Sequence, residues 1–146
     1  MDKMNCTIVG KAAELTLLQE IPLYGCPVKA GFPSPADDWL EGRIDLNKHY
    51  VSNAHATYFL RVSGDSMKGA GILDGDVICV DTSLEAKDKD IVIAVVNGDL
   101  TCKRLLLKGK KTYLAPENDD YPTIELDSSD ELEIWGIVIS CHKSLR

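Results

Sequence analysis

Residues 91–107 read IVIAVVNGDLTCKRLLL, two apolar runs joined by the turn Asn97-Gly98-Asp99. An Asn-Gly pair between two such runs is a strong signal for a β-hairpin, because both residues tolerate the backbone conformation that a tight turn requires. The sequence therefore predicts one strand over residues 91–96 and a second strand over residues 100–107.

A lysine lies in the middle of the second predicted strand. Alternate residues of a strand share a face, so Thr101, Lys103 and Leu105 point one way and Arg104 points the other way. We expect Lys103 to be desolvated between its two neighbours and Arg104 to stay in water. Burial among apolar side chains disfavours the charged ammonium form, and only a neutral lysine can act as a general base.

A serine that such a base could activate lies in the polar loop Ser63-Gly64-Asp65-Ser66, directly after the apolar run at residues 58–62. A serine hydroxyl is a poor nucleophile until a base removes its proton, and Lys103 is a candidate for that role toward Ser66. Two commoner interpretations stand beside this one. A serine in such a loop is usually a turn former, and a strand lysine usually extends its ammonium group to solvent.

The remainder of the chain from residue 55 onward has the pattern of an all-β domain. Further strands are predicted at residues 56–62, 77–80, 112–115, 123–126 and 132–139, separated by polar loops and by turn signals such as Asp74-Gly75-Asp76. Short strands at this spacing predict a mostly β fold, a folded antiparallel sheet or partly open barrel.

The N-terminal third predicts an extended N-terminal arm over residues 1–30 and a linker over residues 31–48, before a domain over residues 49–146. Within the arm, residues 7–9 predict a short strand and residues 11–20 one or two helical turns. Neither is long enough to fold alone, so the apolar residues of the arm must dock on another surface. A further short helical turn is predicted over residues 37–44.

Composition narrows the class of protein. The chain has 146 residues, enough for one domain with a core, and a net charge of −7 with a pI of about 4.9. An acidic chain is not expected to bind nucleic acid directly, because such binding needs a basic surface. The five cysteines form no C-x-x-C pair and only three histidines are present, which argues against a zinc site and fits thiols in a reducing cytosol.

The sequence predicts neither a secretory signal peptide nor a membrane-spanning segment. The first six residues lead into no apolar segment of the kind that a secretory signal peptide has, and the aliphatic run at residues 91–96 is too short to cross a bilayer. We therefore expect a cytoplasmic protein that needs no cofactor and does not associate with a membrane.

Four motifs in a fixed order indicate a family. They are SGDSM at residues 63–67, GILDGD at 71–76, DIVIA at 90–94 and TCKRL at 101–105, and together they resemble the LexA/UmuD family of self-cleaving serine peptidases (S24). The strings AGFPSPADD at residues 30–38 and RIDLN at 43–47 resemble its UmuD-like members. Each motif alone is weak, whereas the ordered set, which runs from about residue 28 to the end, is specific.

The resemblance implies a catalytic site. Ser66 corresponds to the family's nucleophile, Lys103 to its general base, and the bond between Ala30 and Gly31 to the bond that is cut. The backbone N–H groups of Ser66 and Met67 are candidates for the oxyanion hole, which stabilises the negative oxygen of the tetrahedral intermediate. The implied fold is the mostly β LexA/signal-peptidase type.

The resemblance also implies a role in the bacterial DNA-damage (SOS) response. Such proteins are homodimers whose self-cleavage is promoted by a RecA filament on single-stranded DNA. The shortened form then serves as accessory subunit of a UmuC-like Y-family DNA polymerase in error-prone translesion synthesis.

Four alternatives remain. A signal peptidase is disfavoured because it needs a membrane anchor, which the sequence pattern does not predict. A LexA-type transcriptional repressor is disfavoured by the acidic balance and by an arm too short for a helix-turn-helix module. A non-enzymatic interaction module of the same fold is disfavoured by the presence of both Ser66 and Lys103. Ser140 and Lys143 fit the S-x-x-K spacing of β-lactamase-like enzymes, but they lie at the end of a predicted strand and not on a helix.

Overall fold

The computed structural model describes residues 6–11, 21–24 and 40–146, with the backbone alone described for residues 21–24 and 40–44. This part of the chain contains the strands β1 (Cys6–Lys11), β2 (Ile21–Tyr24), β3 (Leu40–Ile44), β4 (Thr57–Val62), β5 (Val77–Asp81), β6 (Ile91–Val96), β7 (Asp99–Lys108), β8 (Lys111–Ala115), β9 (Ile124–Leu126) and β10 (Leu132–His142). It also contains one short α-helix, α1 (Leu46–Tyr50), and 3-10 helices at Ala54–Ala56 and Lys68–Ala70. None of these described helices is long and apolar enough to span a membrane.

Eight strands form one open antiparallel sheet in the order β1-β4-β5-β10-β6-β7-β8-β9, and β2 pairs with β3 alone. The sheet folds over far enough to bring β1 close to β7, five places along that order. The predicted mostly β fold, a folded antiparallel sheet, is confirmed.

The predicted hairpin of β6 and β7 is confirmed, with a turn of two residues, since Asp99 of the predicted turn already belongs to β7. Val96 pairs with Asp99, and the intervening Asn97 and Gly98 have φ angles of 49° and 86°. This left-handed pair of residues continues the right-handed twist of the two strands into the turn. The turn fixes the register of the hairpin, which places Val92 opposite Lys103.

Lys103 lies where β7 is covered on both faces. Two clusters of buried residues form the core, one made of Leu60, Val62, Met67, Ile72, Ile78, Val80, Ile93 and Cys102, the other of Val92, Ala94, Leu105, Leu114 and Ile137. Consecutive residues of a strand face opposite ways, and β7 contributes Cys102 to the first cluster and Leu105 to the second. A side chain between them has little access to water.

The arm contributes one edge of the main sheet. β1 pairs with β4, Cys6 lying opposite Val62 and Lys11 opposite Tyr58, with an irregularity between Ile8 and Gly10. The strand predicted at residues 7–9 is confirmed, and this apolar part of the arm docks on the sheet edge as expected. The helical turns predicted over residues 11–20 lie outside the described residues except for residue 11, which belongs to β1.

A separate pair of strands, β2 and β3, lies on either side of the predicted cleavage site in the sequence. β2 and β3 pair with Ile21 opposite Ile44 and Leu23 opposite Gly42. The helical turn predicted over residues 37–44 is wrong for residues 40–44, because pairing with β2 supplies backbone partners that outweigh a weak local helical preference. The predicted linker over residues 31–48 thus contains β3 and the start of α1, whose N-cap is Asp45.

Candidate active site

Ser66 is presented by a closed loop between β4 and β5. The neck of the loop is held by two backbone hydrogen bonds, from the Val62 N–H to the Asp76 oxygen at 2.9 Å and from the Gly75 N–H to the Val62 oxygen at 2.7 Å. Inside the loop, the Gly64 N–H donates to the Asp74 carboxylate at 2.8 Å. These bonds restrict the loop, so Ser66 has a defined position relative to the sheet.

The structure brings Ser66 and Lys103 together across 37 residues of sequence. Lys103 Nζ lies 3.0 Å from Ser66 Oγ and 3.3 Å from the carbonyl oxygen of Cys102. Ser66 is fully buried and Lys103 is 1% exposed. The expected desolvation of Lys103 is therefore observed, and the two side chains are within hydrogen-bonding distance of each other.

The contact permits base chemistry in one protonation state of the lysine. A buried amine loses the hydration that stabilises its charged form, and a neutral amine at this distance accepts the hydroxyl proton as the oxygen attacks. An ammonium group in the same place can only donate to the hydroxyl. The arrangement can thus activate Ser66 as a nucleophile when Lys103 is neutral.

Three cysteines pack near this contact. Cys6 of β1 and Cys141 of β10 pack against the core cluster that contains Cys102. Burial raises the pKa of Cys6 to about 11. Burial also raises the pKa of Cys102, and it raises that of Cys141 to about 11. Because a thiolate and not a thiol is the nucleophile, these residues behave as small apolar side chains at neutral pH.

We call residues 63–76, which join β4 to β5 and contain Ser66, the nucleophile loop. The end of this loop is bonded to the C-terminal segment. Lys143 Nζ donates to Asp76 Oδ2 at 2.5 Å and to the Gly71 oxygen at 2.8 Å. Burial alone would raise the pKa of Asp76, but hydrogen bonds from Lys143, the Leu73 N–H and Cys141 hold it below its ordinary value. Lys143 is thus held by Asp76, and Ser140 Oγ lies 2.9 Å from His142 Nε2, so the S-x-x-K spacing forms no Ser-Lys pair.

Two further site predictions remain untested. The backbone N–H groups of Ser66 and Met67, the predicted oxyanion-hole donors, lie where the loop enters the 3-10 helix Lys68–Ala70. The predicted scissile bond between Ala30 and Gly31 lies outside the described residues.

Comparison with known proteins relates the whole domain to peptidases and to a repressor. The sequence profile of the family described as Peptidase S24-like matches residues 22–139. Protein MucA of Salmonella typhimurium is 44% identical over 122 residues, which are 83% of this chain and 83% of MucA. Protein SamA of Salmonella typhimurium strain LT2 is 43% identical over 124 residues, 84% of this chain and 86% of SamA. The LexA repressor of Acidithiobacillus ferrooxidans is 43% identical over 122 residues, 82% of this chain but 58% of the repressor.

Proposed function

This chain belongs to the Peptidase S24-like family, and on that premise we propose that it is a serine peptidase that cuts its own backbone between Ala30 and Gly31. The observation that carries the proposal is the buried Lys103 Nζ, 3.0 Å from Ser66 Oγ.

The proposed reaction has two steps. In the first step, neutral Lys103 accepts the hydroxyl proton while Ser66 Oγ attacks the carbonyl carbon of Ala30, and the carbonyl oxygen becomes an oxyanion. The bond to the Gly31 nitrogen then breaks, and Lys103 returns the proton to that leaving amine. In the second step, Lys103 removes a proton from water as the water oxygen attacks the ester carbon. The bond to Ser66 Oγ then breaks, Lys103 returns the proton to that oxygen, and the new carboxyl terminus is freed.

The cut that we propose is intramolecular. Strands β2 and β3, which pair with each other, lie on either side of the proposed scissile bond in the sequence. A peptide bond that belongs to the same molecule as the reacting groups can reach a far higher effective concentration than a free substrate.

The cellular role that we propose is that of an SOS-response protein in the bacterial cytoplasm. Similarity to MucA and SamA and the UmuD-like motifs support a homodimer whose cleavage is promoted by a RecA filament on single-stranded DNA. The shortened form then serves a UmuC-like Y-family polymerase in translesion synthesis. The net charge of −7 supports contact with DNA through these protein partners and not directly.

Adding a RecA filament is expected to accelerate self-cleavage by at least about tenfold at neutral pH. A filament that stabilises the cutting-competent conformation raises the fraction of molecules able to react. The measurement is a time course of intact chain and fragments with RecA, single-stranded DNA and an ATP analogue. Reactions without DNA and with the Ser66→Ala chain are the controls, and an unchanged rate would contradict the proposed role.

The position of β1 indicates how self-cleavage changes the surface of the protein. β1 precedes the proposed cut, and Ile8 and Val9 are 52% and 56% exposed, so little apolar burial retains this strand once it is a separate fragment. Residues 1–30 contain three acidic and three basic residues, and their loss changes no net charge. We propose that cutting releases β1 and leaves β4 as an open sheet edge that an extended partner segment can pair with.

Hydrogen exchange tests this release directly. The β4 amides that face β1 are expected to exchange at least about tenfold faster in the cut protein, because their hydrogen-bond partners have left. The β4 amides that face β5 serve as the control within the same strand. Equal exchange of both sets before and after cutting would show that β1 stays in place.

A further inference from the structure

A loop that contains neither Ser66 nor Lys103 forms hydrogen bonds with the backbone around Ser66. We call residues 117–121, which follow β8, the supporting loop. Its first residue bonds the nucleophile loop twice through its backbone: the Glu117 N–H donates to the Ser66 oxygen at 2.8 Å, and the Glu117 oxygen accepts from the Gly69 N–H at 2.7 Å. The supporting loop therefore fixes the chain at Ser66 and again three residues later.

Two side chains of the supporting loop hold the residue before Ser66. Asn118 Nδ2 donates to the backbone oxygen of Asp65 at 3.0 Å, and the Tyr121 hydroxyl donates to the Asp65 carboxylate at 2.6 Å. Asn118 is 8% exposed, and its Oδ1 accepts from the Asp120 N–H at 3.0 Å. Because both ends of this buried amide are bonded, its orientation is fixed.

Gly69 shows how closely the two loops approach. A Cβ atom at this position would lie 2.6 Å from the carbonyl oxygen of Glu117, closer than a carbon atom can approach a backbone oxygen. Gly69 does not have a positive φ, so glycine is required here by the contact with the supporting loop and not by backbone conformation.

The same loop is tied to the strand that carries the lysine. Arg104, the residue after Lys103, forms an ion pair with Glu117 and also donates to the backbone oxygen of Lys89 at 2.6 Å. A short chain of bonds therefore runs from β7 through Arg104 and Glu117 to the backbone of Ser66. This chain sets the position of one reacting residue relative to the other.

We infer that Asn118, Tyr121 and Glu117 are positioning residues, which hold Ser66 Oγ at reacting distance from Lys103 Nζ. The inference rests on the proposed function. The contacts that carry it reach the backbone of Ser66 and Gly69 and both the backbone and the side chain of Asp65. A misplacement of about 1 Å at a reacting centre can lower a rate about a hundredfold, so a loop that fixes the Ser66 backbone controls the rate without taking part in proton transfer.

Two variants remove contacts of the supporting loop without adding charge. Asn118→Ala removes the bond to the Asp65 backbone together with the bond from the Asp120 N–H, and Tyr121→Phe removes only a hydroxyl. Their matched controls are Asn53→Ala, at a helix N-cap that makes no side-chain capping bond, and Tyr113→Phe on β8. The self-cleavage rate is measured from pH 7 to pH 10, together with the thermal midpoint of each variant.

The inference predicts a lower rate at every pH with an unchanged shape of the pH profile, because the protonation of the base is unaltered. Asn118→Ala is expected to lose at least about tenfold and Tyr121→Phe about threefold, with both controls within about twofold of wild type. Labelling of Ser66 by a fluorophosphonate probe is expected to slow in parallel, and thermal midpoints are expected to change little.

Each other outcome has a definite meaning. Folded variants that cut and label at the wild-type rate overturn the inference alone, as does a profile displaced along the pH axis, which would place the effect on the base. Should Asn118→Ala fail to fold, Tyr121→Phe decides the question, since it removes one hydroxyl. A wild-type chain that neither cuts nor labels defeats the proposed function itself, and the inference with it.

Discussion

Replacing Lys103 with methionine is expected to lower the rate of self-cleavage by at least about a thousandfold while the protein stays folded. Methionine has a similar length and is flexible and apolar, so it fills the buried space without an amine. Lys103 is 1% exposed, and burying an amine costs free energy that methionine avoids. The thermal midpoint of Lys103→Met is therefore expected to equal or exceed that of wild type.

Lys108→Met is the matched control, because Lys108 lies at the exposed end of the same strand. Rates are taken from the fraction of intact chain over time at alkaline pH, and folding from the thermal midpoint. A Lys103→Met chain that cuts at the wild-type rate would require another base. A variant that fails to fold would assign the lysine a structural role.

Ser66→Ala is expected to lower the rate by a similar factor, because no other oxygen at this position can form the ester. The substitution removes the hydroxyl and leaves the backbone bonds of the nucleophile loop in place. Ser63→Ala, an exposed serine three residues earlier in the same loop, is the control and is expected to cut within about twofold of wild type.

Combining the two catalytic substitutions tests whether the residues act as one unit. The double variant Ser66→Ala with Lys103→Met is expected to be no slower than either single variant, since residues that work together have strongly non-additive effects on rate. A double variant much slower than both singles would mean that serine and lysine contribute to separate routes of cleavage.

The hairpin shows what the sequence alone predicts well. Asn97-Gly98 determines the turn, the turn determines the register, and the register places Lys103 in a strand that is covered on both faces. The pairing of Lys103 with Ser66 is different, because no local pattern joins residues 37 positions apart. The resemblance to a known family, carried by the four ordered motifs, predicted that these two residues act together, and they lie 3.0 Å apart.

Arg104 and the supporting loop show what sequence patterns miss. Alternation along the strand predicts that Arg104 stays in water, but its side chain is 28% exposed and paired with Glu117, so that expectation is wrong in part. A folded sheet can be covered by loops from later in the sequence, and the alternation of residues along one strand does not predict such contacts. Residues 117–120 likewise read as an ordinary polar loop, because no local pattern shows which distant residues their backbone and side-chain groups contact.

Of the N-terminal strands, β1 was predicted in part, at residues 7–9, whereas β2 and β3 were not predicted. β3 is stabilised by pairing with β2, and β1 by pairing with β4, and in both cases the partner is distant in sequence. Such short segments have no strong local preference, so tertiary pairing decides their structure.

The central claim is that the buried Lys103 accepts the hydroxyl proton of Ser66 and so lets Ser66 cut the chain's own backbone. Mass spectrometry of the purified chain, incubated at a series of pH values from neutral to alkaline, tests it most directly. The account predicts two fragments, residues 1–30 and 31–146, formed at a rate that rises with pH as a larger share of the base loses its proton. A cut at another bond, a rate that is flat across this range, or the same fragments from Ser66→Ala would contradict it.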